Sequence, residues 1–208
     1  MKSIALLSLL LAGLLLAVPA YAQLGVKGGL NVAELQGRSG EDASYQAYYH
    51  VGVFYKIHLA GPLYIQPEAQ YSLQGGTLKG AFTDYDTKLH YFAVPVLAKI
   101  ELGPIFVEAG PQLSVLVDAT KKGTWQVGTT SGTASYTSGD TSVKGDFKST
   151  DFSLCAGAGI KLGSYLSVGG RFIAGLNDIN NVKTLTGIND PRLQNRVFQV
   201  YAAVQFGR

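Results

Sequence analysis

From Gln23 onward the chain alternates apolar residues with polar or small ones at a period of two, run after run. This pattern constrains the fold more than any other feature. Successive side chains of a strand point to opposite faces, so each run reads as a strand with one apolar face. In the cleanest case Leu63, Ile65, Pro67, Ala69, Tyr71 and Leu73 oppose Tyr64, Gln66, Glu68, Gln70 and Ser72. Eight such runs cover residues 23–32, 47–57, 63–73, 89–102, 105–117, 151–162, 165–176 and 197–206. The connections differ in length. Residues 34–45, 75–87, 119–150 and 177–195 form long ones, whereas His58 to Pro62, Leu102 to Pro104 and Gly163-Ser164 form short ones. Short turns at one end and long loops at the other are the pattern of an outer-membrane barrel. Pro67, Pro95 and Pro111 fall inside proposed strands. Each removes a ladder donor there, so bulges are expected at them.

The first 22 residues precede this pattern. Met1-Lys2 is a short basic start, Ile4 to Val18 an apolar run, and Ala20-Tyr21-Ala22 an A-x-A cleavage signal. This is a secretory signal peptide, too short in its apolar part for a membrane-spanning helix. The expected division is a signal peptide at 1–22 and an outer-membrane β-barrel domain at 23–208, exported to the outer membrane.

An eight-stranded barrel can put its apolar face inside, as a soluble lipocalin-like barrel does, or outside, against lipid. Three features favour lipid. The apolar face carries Leu, Val, Ile, Phe and Tyr on all eight runs, too bulky for so narrow a lumen. The opposite face carries Gly25, Gly29, Gly52, Gly110, Gly157, Gly159 and Gly169, which suit a tight interior. Every charge in the body of a run lies on that second face, and charged residues are only 15% of the chain, against roughly 25% in soluble domains. Tyr49, Tyr71, Phe92, Phe152 and Phe198 would form an outer aromatic girdle, with Tyr55 and Phe206 at the periplasmic rim. The expected fold class is all-β: an eight-stranded antiparallel transmembrane β-barrel with short periplasmic turns and long extracellular loops.

The lumen then holds Lys27, Lys56, Lys99, Lys161 and Arg171 against Glu68, Glu101, Glu108 and Asp151. Charges packed in so narrow a space must pair. Height along the strands puts Glu68, Glu108 and Arg171 near mid-membrane, so Arg171 is expected to bridge to one or both glutamates and plug the lumen. The plainer role for this network is filling; the sharper one is a gate between paired states. The loop at 119–150 is expected to be a solvated, partly disordered extension or a hairpin prolonging strands five and six, the alternative being an adhesive or ligand-binding tip with Trp125 and Tyr136 as its contact residues.

Other chemistry is thin. His90 lies near the outer rim on the lipid side, with no outward acid or Ser in the strand bodies to support action on lipid A. The single Cys excludes a disulfide framework and a Cys-based zinc site. Cys155 reads as a small filler. No spacing suggests a metal, and no cofactor is expected. The net charge of +3 is too weak to point to nucleic acid.

Segments 64–76 (YIQPEAQYSLQGG), 89–119 and 157–179, with GVKGGLN at 25–31 and VYAAVQF at 200–206, resemble the small outer-membrane β-barrel, or porin-family, proteins of Bacteroidetes-type bacteria, which include the PorT-like proteins. The resemblance implies an eight-stranded barrel and no defined activity. It departs at the end, where Gly207-Arg208 follow Phe206. The expected role is structural or porin-like with a narrow or plugged lumen and no catalysis. A loop-based surface binding protein is the alternative, and a lipid A enzyme the third reading. The expected partners are outer-membrane lipid, lipopolysaccharide and the barrel assembly machinery, with the chain a monomer.

Overall fold

The computed structural model describes residues 23–36, 46–80, 83–130, 133–142, 144–146, 148–178 and 194–206. The expected signal peptide lies outside the described residues, as do the central parts of loops 34–45 and 177–195. The strands are β1 (Gln23–Gln36), β2 (Gln46–Ala60), β3 (Leu63–Gly80), β4 (Thr83–Leu102), β5 (Ile105–Thr130), β6 (Thr133–Ser142), β7 (Thr150–Leu162), β8 (Leu166–Gly175) and β9 (Gln194–Phe206). Eight of them, all but β6, form a closed antiparallel barrel in which β1 pairs β9, β4 pairs β5 and β5 pairs β7. Closure leaves no edge in the barrel wall, which is what lets strands cross lipid.

The two faces segregate as the alternation requires. Leu30, Val51, Val94, Leu113, Leu154 and Val200 point out and are exposed, while Lys27, Asn31, Glu68, Glu108, Arg171 and Gln199 point in and are buried. The three short turns each carry a glycine at positive φ, namely Gly61, Gly103 and Gly163. In two of them, Gly61-Pro62 and Gly103-Pro104, proline follows and the two residues make up the whole connection.

The inward glycines have a steric reason. Gly25 faces Phe54, Gly159 faces Phe106 and Gly169 faces Tyr201 across the strand pairs. In each case a Cβ on the glycine would run into the partner's ring. The rings lie over the glycines and fill the lumen. Phe54, Phe106, Tyr201 and Ala203 form one buried cluster, and Ala33, Tyr48, Leu73, Leu97, Cys155, Ile173 and Val197 form another. The interior is therefore more apolar than an inward face of small and charged residues suggests.

Two expectations are corrected. The prolines do not mark bulges. Pro67 pairs Val96, Pro95 pairs Gln112 and Pro111 pairs Leu154 with the register unchanged on either side. The β2–β3, β3–β4 and β4–β5 pairings simply skip a step beside them, so a missing donor is absorbed without an extra residue. The register shifts lie elsewhere, at His58/Ala60, His90/Tyr91 and Gln126/Gly128. The connection at 75–87 is largely strand rather than loop, whereas at 119–150 the structure has the hairpin that is one of the readings of that segment. β3 and β4 pair up to Gly80↔Thr83, and β5 runs on to Thr130 and returns as β6. β5 has 26 residues, whereas about 9–11 suffice to cross a bilayer. Where β7 leaves β5 at Val115, β6 takes over its edge from Thr120. The result is a four-stranded sheet standing beyond the barrel rim, with β6 at its edge.

Gly159→Ala is expected to destabilise the folded barrel by about 1–3 kcal/mol, the cost of overpacking. Its Cβ would meet the Phe106 ring and stand 2.8 Å from Gly169 Cα. Gly28→Ala, whose Cβ has only the His50 carbonyl oxygen at 3.5 Å, should change stability by less than about 0.5 kcal/mol. Urea unfolding in micelles reads both.

Candidate functional site

The middle of the lumen is built around Arg171. In register, Arg171 on β8 faces Gly157 on β7, and Gly157 faces Glu108 on β5. A strand thus separates arginine from glutamate, and its residue at that level has no side chain. The two groups close over it. Arg171 Nε donates to Glu108 Oε1 at 2.8 Å and Nη2 to the same oxygen at 2.6 Å. The guanidinium also spans the lumen to β3, where Nη1 and Nη2 donate to the two oxygens of Glu68, each at 2.9 Å. Lys27 on β1 meets Glu68 at 3.2 Å. The side chains of Arg171, Glu68, Glu108 and Lys27 are wholly excluded from solvent.

Neutral groups complete the cluster. Tyr201 donates its hydroxyl to Glu108 Oε1 at 2.9 Å, and Lys27 Nζ sits 3.8 Å above the Tyr201 ring. Gln66 donates to Glu68 Oε1 at 2.7 Å, and Gln70 donates to Glu68 Oε2. Two cations and two carboxylates therefore balance at the level of the plug. A bidentate guanidinium–carboxylate pair is the strongest arrangement for a buried charge.

The other lumen charges flank this plug. Toward the short-turn end, Glu101 accepts from Lys56 at 3.0 Å and from Lys161 at 2.7 Å. Lys99 Nζ stands 3.8 Å over the Phe106 ring and 3.4 Å from Gln66 Oε1. Toward the outer end, Asp151 accepts from Asn195 at 2.9 Å and Ser153 at 3.4 Å. Asn31 ties β1 to its neighbours there, donating to Leu73 O at 2.7 Å and accepting from Gln199 at 3.0 Å. His50 Nδ1 lies 2.7 Å from Asn31 Oδ1.

All nine charges named from the sequence thus lie inside the barrel, but in three groups rather than one. Residue types and alternation did not single out Tyr201, Gln66, Gln70 or Gly157 as members. Their inward parity was legible; their shared height with Arg171 depends on strand register. Trp125 and Tyr136 lie on the backbones of β5 and β6, and their side chains are outside the described residues. Cys155 is buried, with Sγ 3.4 Å from Gln112 Oε1. Among the described residues no group of three His, Cys, Asp or Glu could hold a metal ion. The expectation of no outward acid beside His90 is corrected. The register shift at His90/Tyr91 turns Asp118 outward opposite His90, and the Tyr71 hydroxyl hydrogen-bonds His90 Nδ1.

Comparison with known proteins agrees with this architecture. A family model described as "Outer membrane protein beta-barrel domain" matches residues 17–181. No curated protein sequence matches the chain. Among solved structures, Neisserial surface protein A is similar with a TM-score of 0.53 at 12% identity, covering 89% of this chain and 99% of that one. Ail, the attachment invasion locus protein of Yersinia pestis, gives 0.47 at 8% identity over 89% and 99%. OprG from Pseudomonas aeruginosa gives 0.43 at 11% over 90% and 97%. At 12% identity the likeness to Neisserial surface protein A concerns the fold alone.

Arg171→Ala would leave two carboxylates buried with only Lys27 and neutral donors. Removing one partner from a buried ionic cluster costs about 3–5 kcal/mol. A loss of that size is expected in urea unfolding. Arg171→Met combined with Glu108→Gln should recover most of it, because the Lys27–Glu68 pair remains and no uncompensated charge is left.

Proposed function

The chain belongs to the outer membrane protein beta-barrel domain family, and from that premise we propose that it is a structural barrel of the outer membrane with a closed, non-conducting lumen and no catalytic role. The observation that carries this reading is the Arg171–Glu68–Glu108 cluster, a water-excluded contact from β8 across to β3 and β5. With Phe54, Phe106 and Tyr201 packed beside it, the cross-section is filled. Ions crossing the barrel would have to separate these charges in a medium where separation is costly.

The rest of the reading follows the sequence. The chain is exported by a signal peptide cleaved after Ala22, is folded into the membrane by the barrel assembly machinery, and sits there as a monomer among lipid and lipopolysaccharide. On its sequence segments we place it with the small porin-family, PorT-like barrels of Bacteroidetes-type bacteria. Tyr71, His90 and Asp118 on the outward face serve as polar contacts at headgroup level rather than as a reaction centre.

A second reading is a surface binding protein. It is supported by the sheet of β3–β6 beyond the rim, which far exceeds what crossing a bilayer requires. A sheet of this kind can present side chains to a partner outside the cell.

Ion conductance in a planar lipid bilayer tests the first reading. The folded protein is expected to give no discrete current steps when insertion is verified independently by protease protection. Reproducible steps from the unmodified protein would overturn the closed lumen.

A further inference from the structure

Below the plug, at the end with the short turns, the lumen opens into a cavity of about 380 Å³. Its mouth is formed by Gly163, Ser164 and Tyr165 with Gln23 and Gln205, and its floor by Lys27 and Tyr201 of the central cluster. Lys56, Lys99 and Lys161 line its wall together with Glu101. Lys27 is engaged with Glu68. The wall therefore sets three ammonium groups against one carboxylate. Lys56 and Lys161 already share that carboxylate. Among the described residues Lys99, 6% exposed, closes no ion pair; its contacts there are the Phe106 ring and one amide oxygen.

Buried charges are ordinarily paired, and the central cluster in the same lumen is balanced. The surplus of positive charge lies in a compartment that has room for a ligand. We propose that this cavity is a binding site for a small phosphate-type oxyanion entering from the periplasm, held by Lys99, Lys56 and Lys161. Ammonium groups are point-charge donors suited to phosphate oxygens. Several of them on one wall match an anion with several acceptor atoms. The volume exceeds that of one phosphate and leaves room for a small phosphorylated solute. The site is a dead end where the plug is closed, but binding itself does not depend on that, so a conducting barrel would leave this inference standing.

The test is calorimetric titration of the folded protein in micelles with inorganic phosphate and, separately, with glucose 6-phosphate, at constant chloride. Saturable binding is expected for at least one of them. Equal affinities would identify the free oxyanion as the ligand, and tighter binding of the sugar phosphate an organic phosphate. Lys99→Met should weaken binding about tenfold, the effect of one charge-assisted hydrogen bond. Glu101→Gln should tighten it, because the opposing carboxylate is gone. Lys148→Ala, at an exposed ion pair on the other end, should leave it unchanged. Folding of each variant is read from heat-dependent gel mobility. If Lys99→Met does not fold, Lys161→Gln replaces it, with weaker binding expected. No saturable binding of either ligand, or an affinity that the folded lysine variant leaves unchanged, overturns the proposal.

Discussion

Arg171 carries a charge that a guanidinium does not give up, at a position water does not reach. That combination dictates its surroundings. Two carboxylates must come to it from other strands, and the backbone between must make room. Glu68 comes from β3 and Glu108 from β5; Gln66, Gln70 and Lys27 donate to Glu68 and Tyr201 to Oε1 of Glu108, while Glu108 Oε2 is left without a donor among the described residues; Gly157 makes the room. The cluster links β8 to strands far away in sequence. Such a cluster is worth little as net stability against an apolar filling of the same shape. What it supplies is a filled, charge-balanced cross-section.

The rest of the wall follows from having two solvents on opposite sides. Lipid takes the exposed aliphatic and aromatic side chains, and the lumen takes the polar ones. Eight strands enclose little more than their own side chains, so the inward face alternates bulk with glycine. Phe54 over Gly25, Phe106 over Gly159 and Tyr201 over Gly169 are three instances of one device. Outside the membrane the constraint of closure lapses. There β5 exchanges β7 for β6, and the sheet continues with an open edge.

Much of this was legible in the sequence because the period of a strand is two without drift. Parity alone assigned Lys27, Glu68, Glu108 and Arg171 to the lumen, and counting along the strands put the last three near one height. What parity cannot give is register between strands. Gly157 lies between Arg171 and Glu108 only because β5, β7 and β8 are staggered as they are. A bulge also reverses parity from that point on. The shift at His90/Tyr91 turned Asp118 outward, where unbroken alternation does not put it. A hairpin at 119–150 was among the sequence readings, but the composition there did not decide for it. The Thr-, Ser- and Gly-rich run at 128–142 offers no clear apolar face to read as a strand. The prolines misled because a lost donor reads as a bulge when the strand can simply skip the bond.

Hydrogen exchange at the Arg171 guanidinium tests most directly whether the plug is a fixed, dry contact. The signals can be followed by ¹⁵N NMR of the folded protein in micelles and assigned by their loss in Arg171→Lys. Separate Nε–H and Nη–H signals that stay protected over hours are expected from a guanidinium held by two carboxylates away from water. A single averaged signal that exchanges rapidly with solvent would contradict a closed lumen built on this cluster.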